Sequence, residues 1–120
     1  MTRAFERFAR KERLRQAALC EAIDRAERGL IDVELGGHVI KQRVARPGKG
    51  RSGGYRTFIV FRTETRAVFM HGFAKNDQDN VSDDELKQLR KAAGEILGWS
   101  EEDVTTLLAN GKWVEVKSDG

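Results

Sequence analysis

The stretch from Lys41 to Phe61 constrains this chain more than any other, because it joins positive charge, glycine and a strand pattern. In the 120-residue sequence no Asp or Glu occurs between Glu34 and Glu64. The stretch carries six cations: Lys41, Arg43, Arg46, Lys49, Arg51 and Arg56. Six of the twelve glycines lie in it or just before it: Gly36, Gly37, Gly48, Gly50, Gly53 and Gly54. Glycine lets backbone N–H groups approach phosphate closely, so the stretch favours a polyanion as its ligand.

Two strands are predicted here, with a glycine-rich loop between them. His38 to Ala45 alternates loosely between apolar and polar residues, and Pro47 and the glycines then interrupt the ladder. Tyr55 to Phe61 is rich in aromatic and β-branched residues and predicts the second strand. Its alternation gives two faces, one with Arg56, Phe58, Val60 and Arg62 and the other with Tyr55, Thr57, Ile59 and Phe61. Since both faces are partly apolar, we expect a central strand, with Arg56 where the loop meets the sheet.

The flanking segments predict helices. Apolar residues at helical spacing indicate a helix from Glu12 to Arg28 that ends at Gly29, with Leu30 continuing its apolar stripe and a shorter helical turn around Phe5 and Phe8 before it. In the C-terminal part, a capping box at Ser82 and Glu85 predicts the start of a helix that ends at Gly98. A second helix is predicted from Glu101 to Ala109, capped by Ser100, and a final strand from Lys112 to Val116.

The run Lys41 to Arg56, an apolar strand after it and the G-F-A-K-N of Gly72 to Asn76 resemble the RelE-type, HigB-like toxins of bacterial type II toxin–antitoxin systems, within the RelE/ParE superfamily. The similarity covers roughly residues 33 to 97. The resemblance implies a small α+β fold, with N-terminal helices packed on a central, mostly antiparallel sheet and with C-terminal helices. It implies an enzyme that cuts messenger RNA on the ribosome, without a metal or other cofactor, by driving the 2′-OH onto the adjacent phosphate.

The resemblance also assigns roles to residues of this chain. Arg56 matches the sheet arginine that stabilises the transition state, while Lys49 and Arg51 match basic loop positions that bind phosphate, with Lys49 as a candidate general base. Residues expected to contact RNA are Arg43, Arg46, Phe73, Lys75 and Asn76. The implied partners are a cognate antitoxin that covers the basic face, the ribosome with its messenger RNA, and operator DNA for the toxin–antitoxin complex.

Two departures from the family pattern keep other functions open. The second catalytic arginine of the family falls on Asn76, and the C-terminal tyrosine of some members has no counterpart, since the only tyrosine is Tyr55. A ParE-like toxin that inhibits DNA gyrase through protein contacts is one alternative. A nucleic-acid-binding module without catalysis is the other, because the same cations could act only by releasing counterions.

Several aromatic or titratable residues have a structural interpretation beside the functional one. Tyr55, at the start of a strand, is expected in the core. Phe73 and Trp113 could stack on nucleobases, although such aromatics more often fill a small core. His71 could act as a general base but has no obvious carboxylate partner in the sequence, which favours a half-buried structural imidazole.

Composition favours one small domain spanning residues 1–120, since this length supports one core and not two. No apolar run is long enough to span a membrane, and the charged N-terminal segment is unlike a signal peptide, so we expect a cytoplasmic protein without a membrane partner. With Cys20 as the only cysteine and two distant histidines, neither an internal disulfide nor a metal centre is expected.

Overall fold

The computed structural model describes residues 1–46, 50–63, 65–74 and 81–116, with the backbone alone for residues 46 and 50–53. The elements in chain order are α1 (Arg3–Lys11), α2 (Gln16–Glu27), β1 (Val33–Glu34), β2 (Val39–Arg46), β3 (Gly50–Arg62), β4 (Arg66–Ala74), α3 (Asp83–Gly98) and α4 (Glu101–Ala109). The strands form one antiparallel sheet in the order β1-β2-β3-β4. The predicted α+β class is confirmed.

β3 is the central strand, and it separates two apolar clusters. Ile59 and Phe61 point toward the helices α1 and α2, in a cluster that also contains Phe5, Leu19, Ala22, Ile40, Val44 and Phe69. Phe58 and Val60 point the other way, toward α3, in a cluster with Val39, Val68, Phe73, Ala93 and Ile96. The predicted alternation of the strand is therefore confirmed, and each face of the sheet is covered by helices.

The prediction that the glycines after Pro47 form a loop is wrong for Gly50, Gly53 and Gly54. β3 already begins at Gly50, whose partner on β2 is Arg46, and the register is irregular between Val44 and Arg46. Pairing with β2 holds both ends of this segment, at Gly50 and again at Tyr55, so the ladder outweighs the low strand propensity of glycine.

The helix predictions hold except at one boundary. α2 begins at Gln16 and not at Glu12. Arg13 adopts a left-handed conformation, with φ of 58°, and this break separates α2 from α1. Leu30 is 56 % exposed and does not continue the apolar stripe. The capping box of Ser82 and Glu85 and the cap at Ser100 are both formed. Of the helices described, none is long and apolar enough to cross a bilayer.

The predicted final strand is wrong except for one bridge, between Trp113 and Thr2. The Thr2 N–H donates to the Phe69 carbonyl at 3.2 Å, which covers part of the outer edge of β4. The Met1 ammonium donates to the Val114 carbonyl at 2.8 Å, and burial lowers the pKa of this ammonium from 8.0 to about 6. The N-terminal residues thus lie between β4 and the C-terminal segment.

Gly72 on β4 lies directly under the aromatic rings of α1. A Cβ atom added at Gly72 would lie 2.6 Å from Cε2 of Phe8 and 3.0 Å from Cε2 of Phe5. Phe5 is 1 % exposed, and the Phe8 ring meets Tyr55 edge to face. Neither ring can move aside without disturbing other contacts of the core.

We therefore expect Gly72→Ala to lower the free energy of unfolding by about 1–3 kcal/mol through overpacking. Urea unfolding monitored by circular dichroism would measure it. Gly94→Ala is the matched control, since a Cβ at Gly94 meets nothing within 4 Å and the position lies inside α3. That variant should gain about 0.5–1 kcal/mol from helix propensity. Equal unfolding midpoints for the two variants would contradict the close packing of α1 on β4.

Candidate nucleic-acid interface

Three neighbouring basic residues, Lys41, Arg43 and Arg56, lie together on one face of the sheet, the face that also carries α3. Arg43 on β2 pairs with Arg56 on β3, and Lys41 pairs with Phe58 two residues away. Because alternate residues of a strand point to the same side, Lys41, Arg43 and Arg56 lie on the side of Phe58. Arg43 is exposed, whereas Lys41 and Arg56 are half-buried. We call these three residues the cationic strip.

Arg56 has an unsatisfied guanidinium. Its Nη1 atom is buried and has no hydrogen-bond partner among the described residues. A buried donor of this kind costs free energy unless a ligand or water satisfies it. A phosphate oxygen would supply both an acceptor and the opposite charge.

The charge around Arg56 is also unbalanced. Arg43 stands directly opposite Arg56 in the ladder, and like charges in facing positions destabilise a strand pair. Within the described ranges, no acidic side chain forms an ion pair with any member of the cationic strip. An anion bound between the two guanidinium groups would relieve their repulsion.

The backbone of Arg43 is held from the other face of the sheet. Its N–H donates to Oδ2 of Asp32 at 2.8 Å, and its carbonyl accepts from Nη2 of Arg25, a buried side chain of α2. Next along the strand, the buried Gln42 donates to the carbonyls of Ala22 and Leu30 at 3.0 and 3.1 Å. These contacts fix the part of β2 that presents Arg43 beside Arg56.

Sequence reasoning missed Arg25 and Gln42 as supports of the site. Arg25 reads as one more charge on the polar side of an amphipathic helix, and Gln42 as a polar residue in an alternating strand. The only available signal was the phase of the pattern, since Gln42 shares a face with the core residues Ile40 and Val44.

The predicted RNA contact of Phe73 requires correction. Phe73 is 5 % exposed, and its ring centroid lies 5.8 Å from that of Phe58 and 5.9 Å from that of His71. An aromatic ring enclosed in this way cannot stack on a base, so the structural interpretation is the correct one. Tyr55 is likewise in the core, at 2 % exposure, and its hydroxyl donates to Oε1 of Glu12 at 2.9 Å.

The remaining predicted residues are less fully described. Arg46 and Arg51 lie in β2 and β3, further along the strands that carry Arg43 and Arg56, with only their backbone described. Lys49, Lys75 and Asn76 lie outside the described residues. Trp113 packs against Trp99, with ring centroids 5.5 Å apart, and forms a bridge with Thr2.

His71 belongs to the same sheet face as the cationic strip. It pairs with Phe58, which pairs in turn with Lys41, so the three residues form one row across the sheet. The neighbouring row consists of Arg43, Arg56 and Phe73. His71 is half-buried, as the sequence suggested. In the described part of the chain, no three His, Cys, Asp or Glu side chains are grouped as a metal ion would require.

Comparison with known proteins gives a match to a family model. No curated protein and no solved structure matches the chain. A family model described as the RelE toxin of the RelE/RelB toxin–antitoxin system matches residues 1–116. This match extends well beyond the segment that carries the sequence resemblance, into α1, α2 and α4. The chain therefore belongs to the RelE toxin family of toxin–antitoxin systems.

Proposed function

We propose that this toxin is a ribosome-dependent endonuclease that cuts messenger RNA and so inhibits translation. The observation that carries the proposal is the buried Nη1 of Arg56, which has no partner among the described residues and lies opposite the exposed Arg43 in the ladder. A buried cationic donor without an acceptor suits a toxin that binds RNA phosphate, and membership of the RelE family favours the same substrate.

In the proposed reaction the 2′-oxygen of one nucleotide attacks the adjacent phosphorus, the bond to the 5′-oxygen of the next nucleotide breaks, and that oxygen leaves as a hydroxyl with a proton taken from water. The phosphate gains negative charge in the transition state, and the guanidinium of Arg56 would stabilise that charge through forked hydrogen bonds. Lys41 and Arg43 would hold flanking phosphates, which fixes the reacting groups in line.

Other residues enter this proposal through the family resemblance. Lys49 would remove the proton from the 2′-OH, and Arg51 would bind phosphate beside Arg56. Arg46, Lys75 and Asn76 would hold the RNA on either side of the cut. Asn76 stands where other members carry an arginine, so its role would be limited to a neutral hydrogen bond.

Members of the family pair with an antitoxin. We propose that the antitoxin of this toxin covers the cationic strip with acidic side chains, because a protein that neutralises Arg56 would also exclude RNA phosphate from it.

The experiment that tests the function is primer extension on a defined messenger RNA incubated with the purified protein, with and without programmed ribosomes. Cuts that require ribosomes are the expected result. Cuts in free RNA as well would show an endonuclease that does not depend on the ribosome. If a folded protein cuts under neither condition, the nuclease proposal fails, and gyrase inhibition or nucleic-acid binding without catalysis becomes the function to test.

A further inference from the structure

An extra residue in β4 turns His71 onto the basic face of the sheet. Phe58 pairs with His71. The next residue of β3 pairs with Phe69, so Met70 is an insertion in the ladder. Phe69 points toward α1 and α2, and without the insertion His71 would point the same way, because residues two apart share a face. With the insertion, Met70 and His71 both line a cavity between β4 and α3. Such β-bulges often occur beside active sites, where they re-aim a side chain.

The imidazole of His71 is held by neighbouring rings and not by hydrogen bonds. Its centroid lies 6.1 Å from that of Phe58 and 5.9 Å from that of Phe73. Among the described residues, none forms a hydrogen bond or an ion pair with the imidazole. The residue is half-buried. A ring nitrogen without a protein partner can give a proton to a ligand and take one from water.

His71 is a diagonal neighbour of Arg56 in the sheet. Arg56 pairs with Phe73, two residues along β4 from His71, and both side chains lie on the face of Phe58. Diagonal neighbours in an antiparallel pair are roughly 7–8 Å apart, within reach of long or aromatic side chains. A phosphate bound by the guanidinium of Arg56 would therefore have an ester oxygen within reach of the imidazole. The cavity beside His71, of about 290 Å³, has room for the water that restores the proton, since one water molecule takes up about 30 Å³.

We propose that His71 is the general acid of the cleavage reaction and donates a proton to the 5′-oxygen that leaves. This inference rests on the proposed function, in which that proton comes from water. The imidazolium gives its proton to the 5′-oxygen as the bond to phosphorus breaks, and the neutral imidazole then takes a proton from water. The proton of the 2′-OH still goes to the general base, so the overall balance is unchanged. Histidine is the side chain that most often transfers protons in this way, and a positioned acid contributes roughly 10²- to 10⁴-fold in rate.

The test compares two messenger RNAs on programmed ribosomes, one natural and one with sulfur in place of the 5′-bridging oxygen at the cut site. A thiol is far more acidic than an alcohol, so the sulfur leaves as a thiolate and needs no general acid. We expect His71→Gln to cleave the natural RNA roughly 10²- to 10⁴-fold more slowly than the wild type does, and the sulfur RNA at close to the wild-type rate. Electrophoresis of end-labelled RNA over time would give both rates.

Three other variants complete the comparison. His71→Phe keeps a ring against Phe58 and Phe73 and removes the proton, so it should behave like His71→Gln. His38→Asn is the matched control, because it removes the other histidine, which is exposed between β1 and β2, and asparagine tolerates its left-handed φ of 62°. It should cleave both RNAs like the wild type. Arg56→Ala should be slow on both RNAs, since Arg56 stabilises charge on the phosphate and not on the leaving oxygen.

Two results would overturn the proposal. Folded His71 variants that cleave the natural RNA at the wild-type rate would exclude the residue from the reaction. Variants equally slow on both RNAs would show that His71 acts on the structure and donates no proton. In either case the wild type still cuts the natural RNA on the ribosome. A wild-type protein that cuts neither RNA contradicts the proposed function itself, so the two failures are distinguishable.

Discussion

Arg56→Ala is expected to lower the rate of ribosome-dependent cleavage by roughly 10²- to 10³-fold, the usual effect of removing one donor that stabilises a developing oxyanion. Arg56 is half-buried on a rigid central strand, and its Nη1 has no partner among the described residues. Its hydrogen bonds are thus available to the phosphate in the transition state. Time courses of primer extension at a single cut site would give the rate.

The same substitution should leave the fold intact or make it more stable. Arg56 faces Arg43 directly, and removing one of two facing like charges stabilises a strand pair by up to about 1 kcal/mol. The variant also removes a buried donor that lacks an acceptor. A toxin that loses activity and gains stability would identify Arg56 as a residue kept for function.

Two further variants distinguish the effect of the forked guanidinium on the cleavage rate from the effect of positive charge. Arg56→Lys keeps the charge but not the two parallel N–H groups, so it should recover only a small part of the lost rate. Arg62→Ala removes an exposed arginine from the end of the same strand and should cleave like the wild type. A folded Arg56→Ala protein that cleaves at the wild-type rate would exclude Arg56 from the chemistry and leave the nuclease proposal without its main observation.

The structural features that depend on residues close along the chain were the ones predicted correctly from the sequence. Ser82 and Glu85 form their capping box with partners three residues apart, and the alternation of β3 sorts Phe58 and Ile59 onto opposite faces. The same alternation predicted Arg56 on the face of Phe58, as the structure shows, whereas its role in the chemistry came from the family resemblance and stays a prediction. Local hydrogen bonding and side-chain period are sufficient for such predictions.

Features that depend on distant partners were not predictable in this way. The strand at Gly50 exists because β2 pairs with it, and the predicted strand after Lys112 is reduced to the bridge between Trp113 and Thr2. The family motif was also open to more than one interpretation. Its Gly72 allows α1 to approach the sheet and its Phe73 is a core residue, so part of the signal that suggested RNA binding comes from packing.

Arg25 shows how a support of the site can be hidden in a helix pattern. The edge of β2 extends beyond β1, which pairs only with Ile40 and Lys41, so the backbone groups of Arg43 need other partners. The side chain of Arg25 is 6 % exposed and supplies one of them, the donor to the Arg43 carbonyl. It also approaches Oδ2 of Asp32 at 3.5 Å and donates through Nε to Glu21 at 3.0 Å.

We expect Arg25→Ala to lower the free energy of unfolding by roughly 3 kcal/mol, since it removes the charged donor to the Arg43 carbonyl and the cation that faces Asp32. Urea unfolding would measure the loss. Arg28→Ala is the matched control, because Arg28 caps the same helix and is exposed, and because among the described residues its side chain makes a single hydrogen bond, a long one of 3.4 Å to the Asp24 carbonyl. It should change stability by no more than about 0.5 kcal/mol. Equal stability of the two variants would show that the buried contacts of Arg25 do not hold the edge of β2. Pairing with β3 alone would then fix the position of Arg43.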